Sequence, residues 1–142
     1  PHVAERELST LKDRFDWSAD CFEHRDLPRS HSPGNIVLIE LQSEHITELF
    51  SAVGERGVRA EEVAGRVADE VDAYLAADVP VGEHLADQLI MPLALGHGGV
   101  YRTTPPSLHT LTQVEIVRLF LPHVRITITE ESAAAYRIEV AV

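Results

Sequence analysis

Residues 60–77, AEEVAGRVADEVDAYLAA, carry the clearest periodicity in the chain. Ala60, Val63, Ala64, Val67, Ala68, Val71 and Leu75 recur at the spacing of one helical face. The stretch is therefore predicted to be an amphipathic helix with that stripe buried. Glu61, Glu62, Arg66, Asp69, Glu70 and Asp72 fall off the stripe and read as a solvated face. Upstream, Ile36 to Leu41 is a continuous apolar run with one Glu, which predicts a strand buried on both faces. Ile46 to Val53 alternates as a second strand, closed by Gly54 to Gly57. The 60–77 helix is expected to lie on the sheet holding both. Further upstream, Glu23 to Asn35, with Pro28, Pro33 and Gly34, reads as a loop. Trp17 to Phe22 reads as a short strand. Ala4, Leu8, Leu11 and Phe15 mark a helix over residues 3–15.

Downstream, Ala77 to Val81 carries Pro80 and reads as a boundary. A helix over 82–95 follows, ended by the glycines of Gly96 to Gly99. Val100 to Thr103 is a short strand, and Pro105 and Pro106 form a rigid approach to the next element. Residues 110–120 are predicted helical, with Leu111, Val114, Ile116, Val117 and Phe120 mostly buried, and Pro122 stops them. Val124 to Thr129 and Tyr136 to Val142 alternate around a turn at Glu130 to Ala134, so a hairpin ends the chain. The pattern is βαβ-like with a final hairpin. It predicts an α/β (α+β) architecture of mixed sheets covered by helices, in two units joined near residues 77–81.

Composition narrows the function classes. Apolar residues make up 44% of the 142, enough for a real core, so disorder is disfavoured. Asp and Glu number 23 against 12 Lys and Arg, which argues against binding DNA by bulk charge and leaves room for a local basic groove. The single Cys21 excludes an internal disulfide framework and fits a reducing cytosol. The apolar stretch around Leu85 to Leu95 is too short and interrupted to span a membrane. The chain opens at Pro1, inside what reads as continuing structure, and is expected to be a fragment.

Two stretches can carry chemistry. On the 82–95 helix, His84, Asp87, Gln88 and Met91 share one side. An imidazole, a carboxylate and an amide there can stack on a base, accept from ribose hydroxyls and read a base edge. By spacing alone, the ordinary reading of such a stripe is a solvent-facing polar face. His109 stands between Pro105-Pro106 and a helix start, where unpaired N–H groups favour anions. A histidine ring is partly unprotonated near neutral pH and can attack phosphorus. From the residues alone, the favoured reading is a helix-start residue or a surface histidine. The eight histidines show no metal-ligand spacing, so structural zinc is not expected. Gly96-His97-Gly98-Gly99 lacks the Lys of a phosphate loop and reads as a turn.

Three segments resemble RNA 3'-terminal phosphate cyclases, in order and across essentially the whole chain. The first is Gly82-Glu83-His84-Leu85-Ala86-Asp87-Gln88-Leu89 with Pro92-Leu93-Ala94-Leu95. The second is Pro106-Ser107-Leu108-His109-Thr110-Leu111-Thr112, running to Phe120-Leu121-Pro122. The third is Ile39 to Gly57, with Glu44, Ile46, Thr47, Glu48, Gly54 and Glu55 in familiar places, and His2-Val3-Ala4-Glu5-Arg6-Glu7 also matches. Departures are Thr110 and Gln113, where the family usually has Leu and Asn, and Ser51, where some members carry an aromatic ring near the adenine. Phe50 is adjacent but is expected to point to the other strand face.

The resemblance implies that His109 is the nucleophile that becomes adenylylated, and that His84, Leu85, Ala86, Asp87 and Gln88 lie in the ATP site. It implies that residues 1–77 are the latter part of a small inserted α/β domain. Residues 78–142 would be the last βαβ-type unit of a large repeated-unit catalytic domain. The implied reaction uses ATP to convert an RNA 3'-terminal phosphate into a 2',3'-cyclic phosphate. A divalent cation, Mg2+ or Mn2+, would be held mainly by a missing N-terminal portion of the same protein, and the location would be cytoplasmic. Residues 1–142 alone are then expected to be inactive. The other readings are a cyclase-like, non-catalytic protein of ribosome assembly, whose branch lacks the histidine, and an acidic interaction module that reuses the fold.

Overall fold

The computed structural model describes residues 3–28 and 34–142. His2 of the N-terminal motif and residues 29–33 of the expected loop, Pro33 included, lie outside them. The elements are α1 (Val3–Arg14), a 3-10 turn (Ala19–Cys21), β1 (Ile36–Gln42), β2 (Thr47–Val53), α2 (Ala60–Ala77), α3 (Glu83–Leu95), β3 (Gly99–Thr103), α4 (Leu108–Phe120), β4 (Arg125–Glu130) and β5 (Tyr136–Ala141). They form two compact units, residues 1–41 with 49–72, and residues 42–48 with 73–142. The units interleave, whereas the sequence reading drew one boundary after residue 77.

In the first unit, α1 lies beside α2, joined by charge-assisted hydrogen bonds. Arg6 donates from Nε to Glu61 at 2.8 Å, and Arg14 donates to Asp72 at 2.7 Å and Asp69 at 2.9 Å. Water screens such half-exposed pairs, so each contributes little to stability. The apolar stripe does more: Val63, Ala64, Val67, Ala68 and Val71 of α2 are buried, with Leu11 and Phe15 near the end of α1. Leu75 departs from the expected stripe, because the last turn of α2 leaves it half exposed.

The β1–β2 hairpin corrects the expectation of a strand buried on both faces. Val37, Ile39 and Phe50 are buried, while Ile36, Leu38, Leu49 and Val53 are exposed. A two-stranded sheet shows alternate side chains to opposite faces, and here one face is buried. The same alternation puts Phe50 and Ser51 on opposite faces. Trp17 to Phe22 is not a strand. Cys21 N–H donates to Ser18 O at 3.0 Å, and the Ser18 hydroxyl bonds the Asp20 carboxylate, a local closure that competes with extended pairing. Trp17 instead stacks on Phe15, with ring centroids 4.2 Å apart.

The second unit is built on a three-stranded sheet ordered β3-β5-β4. Both outer strands pair antiparallel with β5, so β3 and β4 run parallel to each other and α4 is the crossover between them. This is a βαβ unit split by its own last strand. The register places Tyr101 opposite Ile138 and Ile138 opposite Ile128, with Val140 and Ile126 as the next layer. These inward residues meet Ala86, Ile90 and Ala94 of α3 and Val114 and Val117 of α4 in one core. The final hairpin thus packs with α3.

The expected burial along α4 is corrected: Leu111, Ile116 and Phe120 are exposed, and only Thr110, Val114 and Val117 turn fully inward. One narrow i, i+4, i+7 stripe is all that α4 gives to the core. Between α3 and β3, Gly98 donates its N–H to Leu93 O at 3.0 Å and has a φ of 72°. A Cβ there would sit 2.4 Å from the Val140 carbonyl oxygen, so only glycine fits.

Ile138 has no exposed surface at the middle of the central strand. Ile138→Ala should cost about 2–5 kcal/mol in denaturant unfolding. Ile116→Ala, on the open side of α4, should cost less than about 0.5 kcal/mol.

Candidate functional site

The start of α3 and the approach to α4 leave the same point of the second unit. Val81 pairs with Thr103 in a parallel bridge, and Thr104 N–H donates to Val81 O at 3.3 Å. The Thr103 hydroxyl adds a 3.5 Å bond to Gly82 O. From this tie, one strand of chain enters α3 at Glu83, and the other runs through Pro105 and Pro106 into α4 at Leu108. The Thr104 hydroxyl is buried at the tie with no partner in the structure.

On α3 the residues expected to bind a nucleotide divide into two groups. His84 and Gln88 are exposed and Asp87 is half-buried, with Met91 one turn further along. Leu85 and Ala86 spend their side chains on the core. Tyr101 OH donates to Ala86 O at 2.6 Å, so that carbonyl is also occupied. Burial pushes the Tyr101 phenol well above its usual range, and the Asp87 charge adds to the shift. Pro92 has no N–H to give the Gln88 carbonyl, which loses its helical partner.

His109 is the second residue of α4 and is exposed. The helix begins two residues earlier than its periodicity implied, because Ser107 caps it. Ser107 Oγ accepts from Thr110 N–H at 3.3 Å, and Ser107 O accepts from Leu111 N–H at 3.0 Å. The serine ahead of the helical run was the available signal. With that cap, His109 lies inside the first turn, at the end where backbone N–H groups and the helix dipole favour an anion. Thr110, one of the departures from the family pattern, is fully buried, with its hydroxyl 3.3 Å from Ser107 Oγ.

Sequence reasoning gave Glu48 no role at this site. It is 4% exposed and accepts from Gly82 N–H at 2.7 Å. Burial raises its carboxyl above the ordinary 4.5, while the Gly82 N–H and the charge of His84 pull it back. The signal was its parity: Glu48 shares a strand face with the buried Phe50.

In the first unit, a cavity of about 430 Å³ is lined by Arg6, Glu7, Asn35, Gly54, Arg59 and neighbouring residues. None of the residues expected to carry chemistry lines it. Its arginines are already engaged, since Glu61 takes both Arg6 and, at 3.5 Å, Arg59. The Arg6 hydrogen bond is the main cause holding Glu61 down at about 2. Among the described residues, no three His, Cys, Asp or Glu side chains cluster. None of the described helices is long and apolar enough to cross a membrane.

Comparison with known families gives a match over residues 1–76 to the model described as RNA 3'-terminal phosphate cyclase (RTC), insert domain. Glu48 lies within the matched residues, yet it belongs to the compact unit of residues 73–142.

The Glu48 environment sets a pH dependence. An acid whose folded pKa is raised keeps its proton where the unfolded chain has lost it. Its contribution to stability therefore falls as pH rises from about 4.5 through the folded value. Glu48→Gln removes that fall. The variant should gain stability relative to the parent between about pH 4 and pH 7 in denaturant titrations. Glu7, raised by burial in the same sense, contributes equally to both proteins.

Proposed function

Because the chain belongs to the RNA 3'-terminal phosphate cyclase family, we propose that it supplies the nucleophile and part of the nucleotide site for ATP-dependent cyclisation of an RNA 3'-phosphate. The supporting observation is the Val81–Thr103–Thr104 tie, from which the His84–Gln88 helix and the approach to the His109 helix both leave. His84, Gln88 and His109 are exposed there rather than committed to the core.

The chemistry follows from the groups. An imidazole nitrogen of His109 attacks the α-phosphorus of ATP, a P–N bond forms, and pyrophosphate leaves with the electron pair of the broken P–O bond. An oxygen of the RNA 3'-phosphate then attacks the same phosphorus and releases the histidine. The neighbouring 2'-hydroxyl attacks the activated 3'-phosphorus, loses its proton, and expels AMP as the ring closes. A phosphate monoester is a poor electrophile until it carries a good leaving group, which is the reason for a covalent intermediate. The first turn of α4 supplies N–H donors toward anionic phosphate. Asp87 accepts from ribose hydroxyls, Gln88 offers an amide to the base or sugar, and His84 packs beside the adenine. A divalent cation, Mg2+ or Mn2+, would neutralise charge on the triphosphate when bound.

The test uses the complete protein and ATP labelled in the α-phosphate. Label should survive denaturation, resist alkali and be lost in acid, as a phosphoramidate does. His109→Asn should remove it without changing the melting temperature, since the side chain is exposed. Retained label in that variant would move the nucleophile elsewhere, and an unlabelled parent protein would favour a non-catalytic role. Asp87→Ala should raise the KM for ATP by about tenfold, the size expected for a lost hydrogen bond to a charged group.

A further inference from the structure

Gly82 occupies the N-cap of α3 in an extended conformation and makes no side-chain cap, because it has no side chain. In the usual capping box, an acid three residues into the helix reaches back to the N-cap N–H. That position is Leu85 here, which packs against the core. Glu48 fills the role from 34 residues away, accepting from Gly82 N–H at 2.7 Å. The fit is tight on both sides. A Cβ at Gly82 would lie 2.9 Å from Glu48 Oε2, so carboxylate and glycine are matched in shape.

This is a costly way to start a helix. A serine or asparagine at position 82 would cap it locally without burying a charge. What the distant acid adds is a fixed address. Residues 42–48 belong to the same compact unit as α3, and Ile46 packs against that unit's core. The first turn is thereby held from one side by Glu48 and from the other by the Val81–Thr104 tie. The second residue of that turn is His84, and Asp87 and Gln88 follow one turn on.

We propose that Glu48 is a positioning residue of the nucleotide site: its carboxylate fixes the N-terminus of α3, and with it the placement of His84, Asp87 and Gln88. The nucleotide part of this inference rests on the function proposed above; the positioning part rests on geometry alone. A helix start displaced by even a fraction of an ångström misplaces groups that must meet the ligand together.

The experiment uses the complete protein with Glu48→Ala, Glu48→Asp and Glu48→Gln. Asp is one methylene short of Gly82, whereas Gln keeps both length and acceptor. Hydrogen exchange is read first, without ligand. Amides of residues 82–88 should exchange at least about tenfold faster in the Ala and Asp variants and at the parental rate in Gln, while β5 stays protected. Self-adenylylation is read second. The KM for ATP should rise about tenfold in Ala and Asp and stay within about twofold in Gln, with the rate at saturating ATP less affected. Unchanged exchange at 82–88 overturns the positioning role whether or not the protein takes label. A fallen melting temperature with the parental KM for ATP overturns the link to the nucleotide. A Gln variant as defective as Ala overturns the hydrogen bond as the cause. If the parent protein takes no label, the proposed function fails while the exchange measurement still decides the role of Glu48.

Discussion

Val81 is buried, pairs with Thr103 in the only parallel contact between strand and approach segment among the described residues, and accepts from Thr104 N–H. Much of the second unit depends on that short tie. The chain passes it on the way into α3 and again, a strand later, on the way into α4. Because β3 is held by β5 and β5 by β4, the tie is braced by a full sheet rather than by a loop. Val81 and Thr103 are themselves buried, and buried backbone bonds are among the last to open, so the residues that follow inherit a stiff origin. Exposed chemistry on a stiff origin is what a site for a large, charged ligand requires.

The two buried carboxylates are handled alike and unlike those on the surface. Glu48 accepts from a backbone N–H, and Glu7 accepts from the Asn35 amide, each at 2.7 Å. Both are raised by burial. The exposed acids Glu61, Asp69 and Asp72 are met by arginines instead. A neutral donor satisfies a buried carboxylate without taking a second charge out of water, which is where buried ion pairs lose most of their energy. Each donor also comes from a segment far along the chain, so each acid ties together segments that local preference would leave independent.

The glycines near the site divide by reason. Gly98 is required by its backbone conformation and by the Val140 carbonyl. Gly82 has an ordinary extended φ of −80° and is required by what stands beside it, the Glu48 carboxylate. A substitution at the first would strain the backbone; at the second it would push a side chain aside.

The bounds of α2, the order of strands and helices, and the places of His84, Asp87, Gln88 and His109 on or beside helices were legible in the sequence, because periodicity and turn residues act over a few positions. The family was legible too, carried by short motifs whose residues keep their spacing. What each face meets was not legible. Ile36 to Leu41 reads as apolar but for Glu40 whether one face is covered or two, and the structure covers one. Ile116 and Phe120 have the hydrophobicity of core residues, yet α4 turns them outward, because Thr110, Val114 and Val117 already fill the space above the sheet. Ala86 sits in a motif whose His84 and Gln88 are exposed, and only the packing of Tyr101 beneath it shows that its carbonyl and methyl are spent on the fold. Glu48 is the extreme case. Its strand parity places it inward, but whether an inward acid is tolerated depends on a donor 34 residues away with no Cβ in the path. Local pattern determines which elements form; which polar group may be buried is decided by partners that only the tertiary fold brings within hydrogen-bonding distance.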